Sequence, residues 1–306
     1  MGQRIRGVIA PILTPFNHDL SVATELYVAH AHELLDGGCA GLAPFGTTGE
    51  ALSLSTAERL SLLHALVDSG VYPGRLLPGA GLNNLAETAA LCREFLELGC
   101  AGLLVLPPFF YKAVSDDGLF AYFANLVEAI GHAEPGIHLY HIPQVSGVGF
   151  PVPLVERLHR AFPGQITGIK DSTGDWENTS ALLEIDGLSV YPGSELPLIE
   201  AMAVGASGCI SATANINAGA INRVITLLDA GRQEEAGRLH EINGRIRLAV
   251  QAHGPIPAQK RLLATWRKEG RWANVRPPLE SLPAATGAAL AGEIEPLMRE
   301  ARGVDA

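Results

Sequence analysis

The sequence predicts an α/β protein built as a (β/α)8 TIM barrel with a C-terminal helical extension. Three observations carry that expectation. Eight short apolar runs occur before residue 213, they alternate with helix-like segments roughly every 25 to 30 residues, and the runs stop after residue 231. The runs fall at residues 7–16, 40–45, 76–81, 101–107, 137–142, 166–171, 188–193 and 208–212. Each is apolar nearly throughout, as strands buried on both faces must be. Eight parallel strands, each followed by a helix, close into a barrel of about 250 residues. A doubly wound sheet is the main rival. It usually has fewer strands and a glycine-rich nucleotide loop after the first, whereas here the first run ends Leu13-Thr14-Pro15-Phe16.

The segments between the runs read as amphipathic helices. Ser55-Thr56-Ala57-Glu58 fits a capping box ahead of an apolar-periodic stretch to Val67. Residues 84–98 and 116–130 are of the same kind, and helices near 175–185, 197–204 and 217–229 complete the βα pattern. Beyond Arg232 the chain reads as helices at 233–251, 257–268 and 287–302, separated by proline-rich breaks. The expected division is therefore a catalytic barrel over residues 1–230 and a helical extension over 231–306.

Composition narrows the function classes. In 306 residues, 47% hydrophobic and 18% charged describe a chain able to bury a full core. The formal charge of −10 argues against nucleic acid and anionic membranes as partners. Cys39, Cys92, Cys100 and Cys209 form no C-x-x-C pair, so they read as reduced core residues of a cytosolic protein. Arg4 and Arg6 are followed by an apolar run broken at Pro11 and Pro15, unlike a signal peptide. Met1-Gly2 has Arg6 where a myristoylation signal needs Ser or Thr. No apolar stretch is long enough to span a bilayer. A cytoplasmic protein is expected.

Active sites of such barrels lie at the C-terminal ends of the strands. Lys170 ends the sixth run and is one of four lysines, with Lys112, Lys260 and Lys268. A lysine in an apolar strand is expensive to bury, and burial favours the neutral amine that imine formation needs. The competing reading is a structural ion pair with Asp171 or an internal carboxylate. Tyr140 nears the end of the fifth run, where a phenol can move protons or simply fill core. Gly46-Thr47-Thr48-Gly49-Glu50 follows the second run, and its backbone N–H groups and hydroxyls suit a carboxylate, or form an ordinary turn. Phe109-Phe110-Tyr111-Lys112 follows the fourth run as a pocket wall, an interface or simple packing. Gly193-Ser194-Glu195 follows the seventh run and Ile210-Ser211 ends the eighth, where polar groups can meet substrate hydroxyls or be solvated loop ends. No H-E-x-x-H or other metal spacing occurs among the histidines. Residues 164–170 echo a phosphate loop without its GK[ST] ending.

Taken together, Gly46-Thr47-Thr48-Gly49-Glu50, Tyr140-x-x-Pro143, Gly168-Ile169-Lys170-Asp171-Ser172 and Gly208-Cys209-Ile210-Ser211 resemble the dihydrodipicolinate synthase / N-acetylneuraminate lyase family, in order and spacing, over nearly the whole chain. The resemblance implies a TIM barrel with a helical C-terminal part, usually a tetramer of tight dimers. It implies Lys170 as the Schiff-base lysine, Tyr140 as general acid/base, Thr47 as proton relay and Thr48 as binder of the oxo acid's carboxylate. Tyr111 matches a tyrosine that reaches into the neighbouring subunit's site, and Gly193 and Ile210 would line the pyruvate pocket. Glu195 and Ser211 join these as candidate substrate contacts. The substrates implied are a 2-oxo acid such as pyruvate and an aldehyde or sugar acid, with no metal or diffusible cofactor.

One position departs from the synthase pattern. The synthases place an arginine two residues after Tyr-x-x-Pro to hold the second substrate's carboxylate, and Val145 stands there. The run Pro143–Val148 resembles the neuraminate lyase side, although His141 replaces a common asparagine and Ser194-Glu195-Leu196 matches the sugar-binding pattern only in part. Three readings stay open: an aldolase or synthase using pyruvate, a dehydratase or aldolase of a 2-keto-3-deoxy sugar acid, and a non-catalytic 2-oxo-acid-binding protein. Lys112 is a candidate substitute cation for the missing arginine.

Overall fold

The structure, a computed structural model, describes residues 5–303. The positions Met1, Gly2 and Arg4 read above lie outside the described residues, as do Val304 to Ala306. In chain order, residues 7–69 carry β1 (Gly7–Ala10), α1 (Thr24–Asp36), β2 (Gly41–Leu42) and α2 (Thr56–Asp68). Residues 70–210 carry α3 (Leu85–Glu97), β3 (Leu103–Val105), α4 (Asp116–Ile130), β4 (Ile137–His141), α5 (Pro143–Ser146), α6 (Val152–Ala161), β5 (Ile166–Asp171), α7 (Trp176–Leu183), β6 (Ser189–Pro192), α8 (Leu198–Ala203) and β7 (Gly208–Ile210). Then follow α9 (Ala214–Asp229), α10 (Gln233–Gln251), α11 (Pro255–Arg267) and α12 (Ala284–Gly303). Two compact units result, one of residues 5–6 and 70–210, the other of residues 7–69 and 211–303.

In the first unit β3, β4, β5 and β6 form a parallel sheet in that order. Its strand interiors are apolar: Leu103, Val105, Ile137, Leu139, Ile166 and Ile169 are all fully buried. The expected strand at 76–81 is present only as a bridge, Gly79 to Leu104. Ladder-type bonds still tie it down, from Ala101 N–H to Leu76, from Leu104 N–H to Pro78 and from Ala80 N–H to Leu104. Pro78 has no N–H to give, which removes one rung of the ladder. The helices begin where their caps lie. Asn84, Ser115 and Asp175 each accept an N–H of the first turn of α3, α4 and α7. In this unit α6 follows β4 and was not among the helices named from the sequence.

In the second unit β1 and β2 pair in parallel, Ile9 with Gly41 and Ala10 with Leu42. The capping box read at Ser55 is present in full, with Ser55 and Glu58 each accepting the other's backbone N–H. It contributes roughly 1 kcal/mol to α2. Past β1 the chain is held by a side chain instead of a strand. Asn215 accepts the N–H of Leu13 at 3.0 Å and donates to the carbonyl of Pro11 at 3.0 Å. The C-terminal helices close over this segment, where Leu13, Leu263, Ala264, Trp272 and Ala273 form one core cluster. A second cluster joins α10, α11 and α12 through Val250, Leu262, Leu290 and Ile294. Among the described residues no helix is long and apolar enough to cross a membrane.

Candidate active site

Parallel pairing places Tyr140, Lys170 and Tyr191 in one row across β4, β5 and β6. Register partners in a parallel sheet share a face, so the three side chains leave the sheet together. Lys170 is buried, and its ammonium lies 4.2 Å from the centre of the Tyr140 ring. The hydroxyl of Tyr191 is committed elsewhere, donating to the carbonyl of Ile5 at 2.5 Å. One step down the strands the same face carries His138 beside Gly168. A Cβ on Gly168 would stand 2.2 Å from the imidazole of His138, so only glycine fits there.

Lys170 makes no salt bridge among the described residues, and the ion pair with Asp171 is not formed. Consecutive strand residues point to opposite faces, which separates them. The Asp171 carboxylate turns to the loop that follows it. There it accepts the N–H of Thr173 (3.0 Å), the hydroxyls of Thr173 (2.7 Å) and Thr179 (2.6 Å), and the amide of Asn178 (3.0 Å). His141, the register partner of Asp171, accepts the N–H of Phe150 at Nδ1. Burial lowers the His141 pKa, against the opposing pull of Asp171. Through this bond the histidine ties the end of β4 to the segment that follows α5.

Gly193 follows β6 and donates its N–H to the carbonyl of Asp171 at 2.6 Å. A Cβ there would stand 2.1 Å from the Ser172 hydroxyl and 2.8 Å from its Cα, so this close approach needs glycine. Glu195, two residues on, is buried ahead of α8, and Ile210 is fully buried at the end of β7. Tyr111 and Val145 are different, being 73% and 63% exposed. Tyr111 packs edge-on against Phe110 at 5.4 Å. Lys112 donates to the carbonyls of Phe109 (2.5 Å) and Ser146 (2.7 Å), pinning the aromatic loop to the end of α5. Two of its three N–H groups are thereby spent on backbone, which weakens its case as a substitute for the missing arginine.

In the second unit the turn Gly46–Glu50 leads from β2 toward α2. The N–H groups of Gly49, Glu50 and Ala51 bond back to Gly46 and Thr47. Thr47 is exposed and Thr48 buried. Among the described residues no hydrogen bond engages Thr48. Ser211 is buried and shares its hydroxyl with Thr213 at 3.1 Å and Arg247 at 3.2 Å.

Two residues with no role in the sequence reading shape this turn. The ammonium of Lys260, on α11, meets Glu50 at 2.5 Å with both side chains fully buried. Arg276 gives its backbone N–H to the other Glu50 oxygen at 3.0 Å. Burial pulls the Lys260 pKa down to about 8, against the opposing charge of Glu50. Breaking one side of such a pair costs roughly 3–5 kcal/mol. The scarcity of lysine was the available signal, since the chain has four and a buried one needs a partner.

Residues 4–287 match the model of the dihydrodipicolinate synthetase family. The chain belongs to this family. A DapA-like lyase of Chloroflexus aurantiacus is 34% identical, covering 96% of this chain and 97% of its own. A 4-hydroxy-tetrahydrodipicolinate synthase of Chlorobium luteolum is 30% identical over 96% and 97%. The crystal structure of dihydrodipicolinate synthase from Agrobacterium tumefaciens superposes with a TM-score of 0.87 at 32% identity, covering 95% of this chain and 99% of that one. A 2-keto-3-deoxygluconate aldolase of Sulfolobus solfataricus also reaches 0.87, at 24% identity and 98% coverage of both chains, a likeness of fold. The fold is thus the (β/α)8 barrel with a C-terminal helical extension, and the protein is a lyase of the dihydrodipicolinate synthetase family.

Proposed function

We propose that this lyase joins Lys170 to pyruvate, or to a close 2-oxo acid, as a Schiff base and uses the resulting enamine for aldol condensation or cleavage. The observation that carries the reading is Lys170 itself: buried at the end of β5, beside the Tyr140 ring and without a carboxylate partner among the described residues. A structural lysine would be paired, as Lys260 is.

The free-base amine of Lys170 adds to the C2 carbonyl of the oxo acid to give a carbinolamine, and a proton given to its hydroxyl by Tyr140 lets water leave as the protonated imine forms. That cation draws electrons from C3, so a C3 proton departs and an enamine forms. The enamine carbon attacks an aldehyde, the new alkoxide takes up a proton, and water releases the product and the free lysine. Cleavage runs the same steps backwards to pyruvate. Tyr140 is the proposed acid/base beside the imine and Thr47 its proton relay. Thr48 is the proposed carboxylate binder, supported by its uncommitted N–H and hydroxyl. Gly193 and Ile210 are assigned to the pocket wall, with Glu195 and Ser211 as further substrate contacts. Tyr111, exposed in the single chain, is assigned to a neighbouring subunit's site in a dimer or tetramer.

One observation favours a second substrate unlike that of the synthases. Position 145 offers an apolar side chain on α5, and the nearby Lys112 is tied to two carbonyls. A carboxylate on the second substrate therefore lacks the bidentate partner that arginine supplies. We assign the partner as an aldehyde or a 2-keto-3-deoxy sugar acid, the latter opening dehydration by the same imine. Incubation with pyruvate and sodium borohydride, followed by peptide mass spectrometry, tests the central step. A reduced adduct on Lys170 is expected. No adduct with pyruvate or with longer 2-oxo acids would sink the reading in favour of a binding protein.

A further inference from the structure

The buried pair of Glu50 and Lys260 joins the turn at residues 46–50 to α11, 210 positions later in the chain. Removing two charges from water is costly, so such a pair is a poor device for stability alone and a good one for fixing a geometry. The turn it anchors is strained. Glu50 has φ of 55° and Phe45 has φ of 59°, left-handed values that side chains other than glycine seldom adopt. Local bonds from the Gly49, Glu50 and Ala51 N–H groups are joined by grips from outside the turn. Arg276 N–H takes the second Glu50 oxygen, and the Thr14 hydroxyl donates to the Gly49 carbonyl at 2.8 Å. Phe16 completes the surround, with the Lys260 ammonium 4.4 Å from its ring centre. The turn also carries Thr48, buried, with no hydrogen bond engaging it among the described residues.

We infer that Lys260 is a positioning residue for substrate recognition: through Glu50 it holds the Thr48 N–H and hydroxyl in the geometry that receives the 2-oxo acid's carboxylate. The C-terminal helical extension is then part of how the enzyme selects an oxo acid over a plain ketone. This rests on the reading of Thr48 as the carboxylate binder and of Lys170 as the imine lysine.

The test is borohydride trapping on the full-length protein with two carbonyl compounds, pyruvate and acetone, which differ by the carboxylate. Wild type is compared with Lys260→Met and with the double variant Glu50→Gln/Lys260→Met, which leaves no lone buried charge and guards against a single variant that fails to fold. In either variant the pyruvate concentration for half-maximal trapping should rise about tenfold or more, while that for acetone stays within about twofold. A merely structural role predicts equal changes for both compounds, and their disappearance once the double variant regains thermal stability. Equal changes, or none for pyruvate in the double variant, overturn the inference. If wild type traps pyruvate no better than acetone, the carboxylate reading of Thr48 falls first. If wild type traps neither, the Schiff-base reading falls.

Discussion

Lys170 and Tyr140 are register partners on neighbouring parallel strands, and the ammonium of one lies 4.2 Å from the ring centre of the other. Ring and hydroxyl have separable duties. The ring wall stays in Tyr140→Phe, so imine formation should survive, whereas proton transfer should not. We expect kcat to fall by about 10²–10⁴-fold in that variant, with a pyruvate adduct still trapped. Lys170→Ala should trap no adduct at all. An adduct in Lys170→Ala, mapped to another lysine, would move the chemistry elsewhere.

Asp171 follows Lys170 directly yet has a different task, since four donors from Thr173, Asn178 and Thr179 converge on its carboxylate. Bonds to a charged acceptor are worth about 1.5–3 kcal/mol each and are not additive. Asp171→Ala should therefore lose roughly 3 kcal/mol or more of stability in urea unfolding. Below its lowered melting point it should still form the Lys170 adduct. A variant of unchanged stability that no longer traps pyruvate would make Asp171 part of the chemistry.

The site residues legible in sequence were those whose meaning is local. The strand pattern put Lys170 and Tyr140 at adjacent strand ends, and Ser55 announced its helix three residues before Glu58 answered it. What depends on distant contacts was not legible. Nothing near Glu50 names Lys260 as its partner, and nothing near Leu13 names Asn215. The run at 76–81 has a strand's apolarity, but Pro78 limits its pairing to a bridge. Lys112 read as a spare cation because a sequence does not show that Phe109 and Ser146 offer it carbonyls.

His30 should make the second unit acid-sensitive. It is buried against the edge of Trp272, its Nε2 donates to Asn215, and its Nδ1 accepts from Arg267, so the ring must be neutral. Burial, reinforced by the Arg267 charge, lowers its pKa to about 3, while the Asn215 bond works the other way. The unfolded chain takes up a proton on this ring below about pH 6.5, and the folded chain does so only near 3. Stability should therefore drop as pH falls from about 6.5 toward 3. His30→Gln should be less stable at pH 7 yet lose less on acidification. Urea midpoints for both proteins that fall in parallel across this range would show that other groups set the acid response.

At Gly193 the turn after β5 and the end of β6 approach closely, its N–H bonding to Asp171 and a Cβ there meeting Ser172. Alanine there would put Cβ 2.8 Å from the Ser172 Cα, a backbone atom that no rotamer change can move aside. The strand ends must part, and Lys170 lies one residue before Asp171 on the strand displaced. Because misplacing a reacting group by about 1 Å can cost about 10²-fold, Gly193→Ala should lower kcat/KM by that order. Gly292→Ala is the matched control, since a Cβ at that position meets nothing within 4 Å. It should leave activity intact and raise thermal stability slightly, by restricting the unfolded chain. Full activity in Gly193→Ala would mean that β5 and β6 can separate at their ends without moving the Lys170 amine.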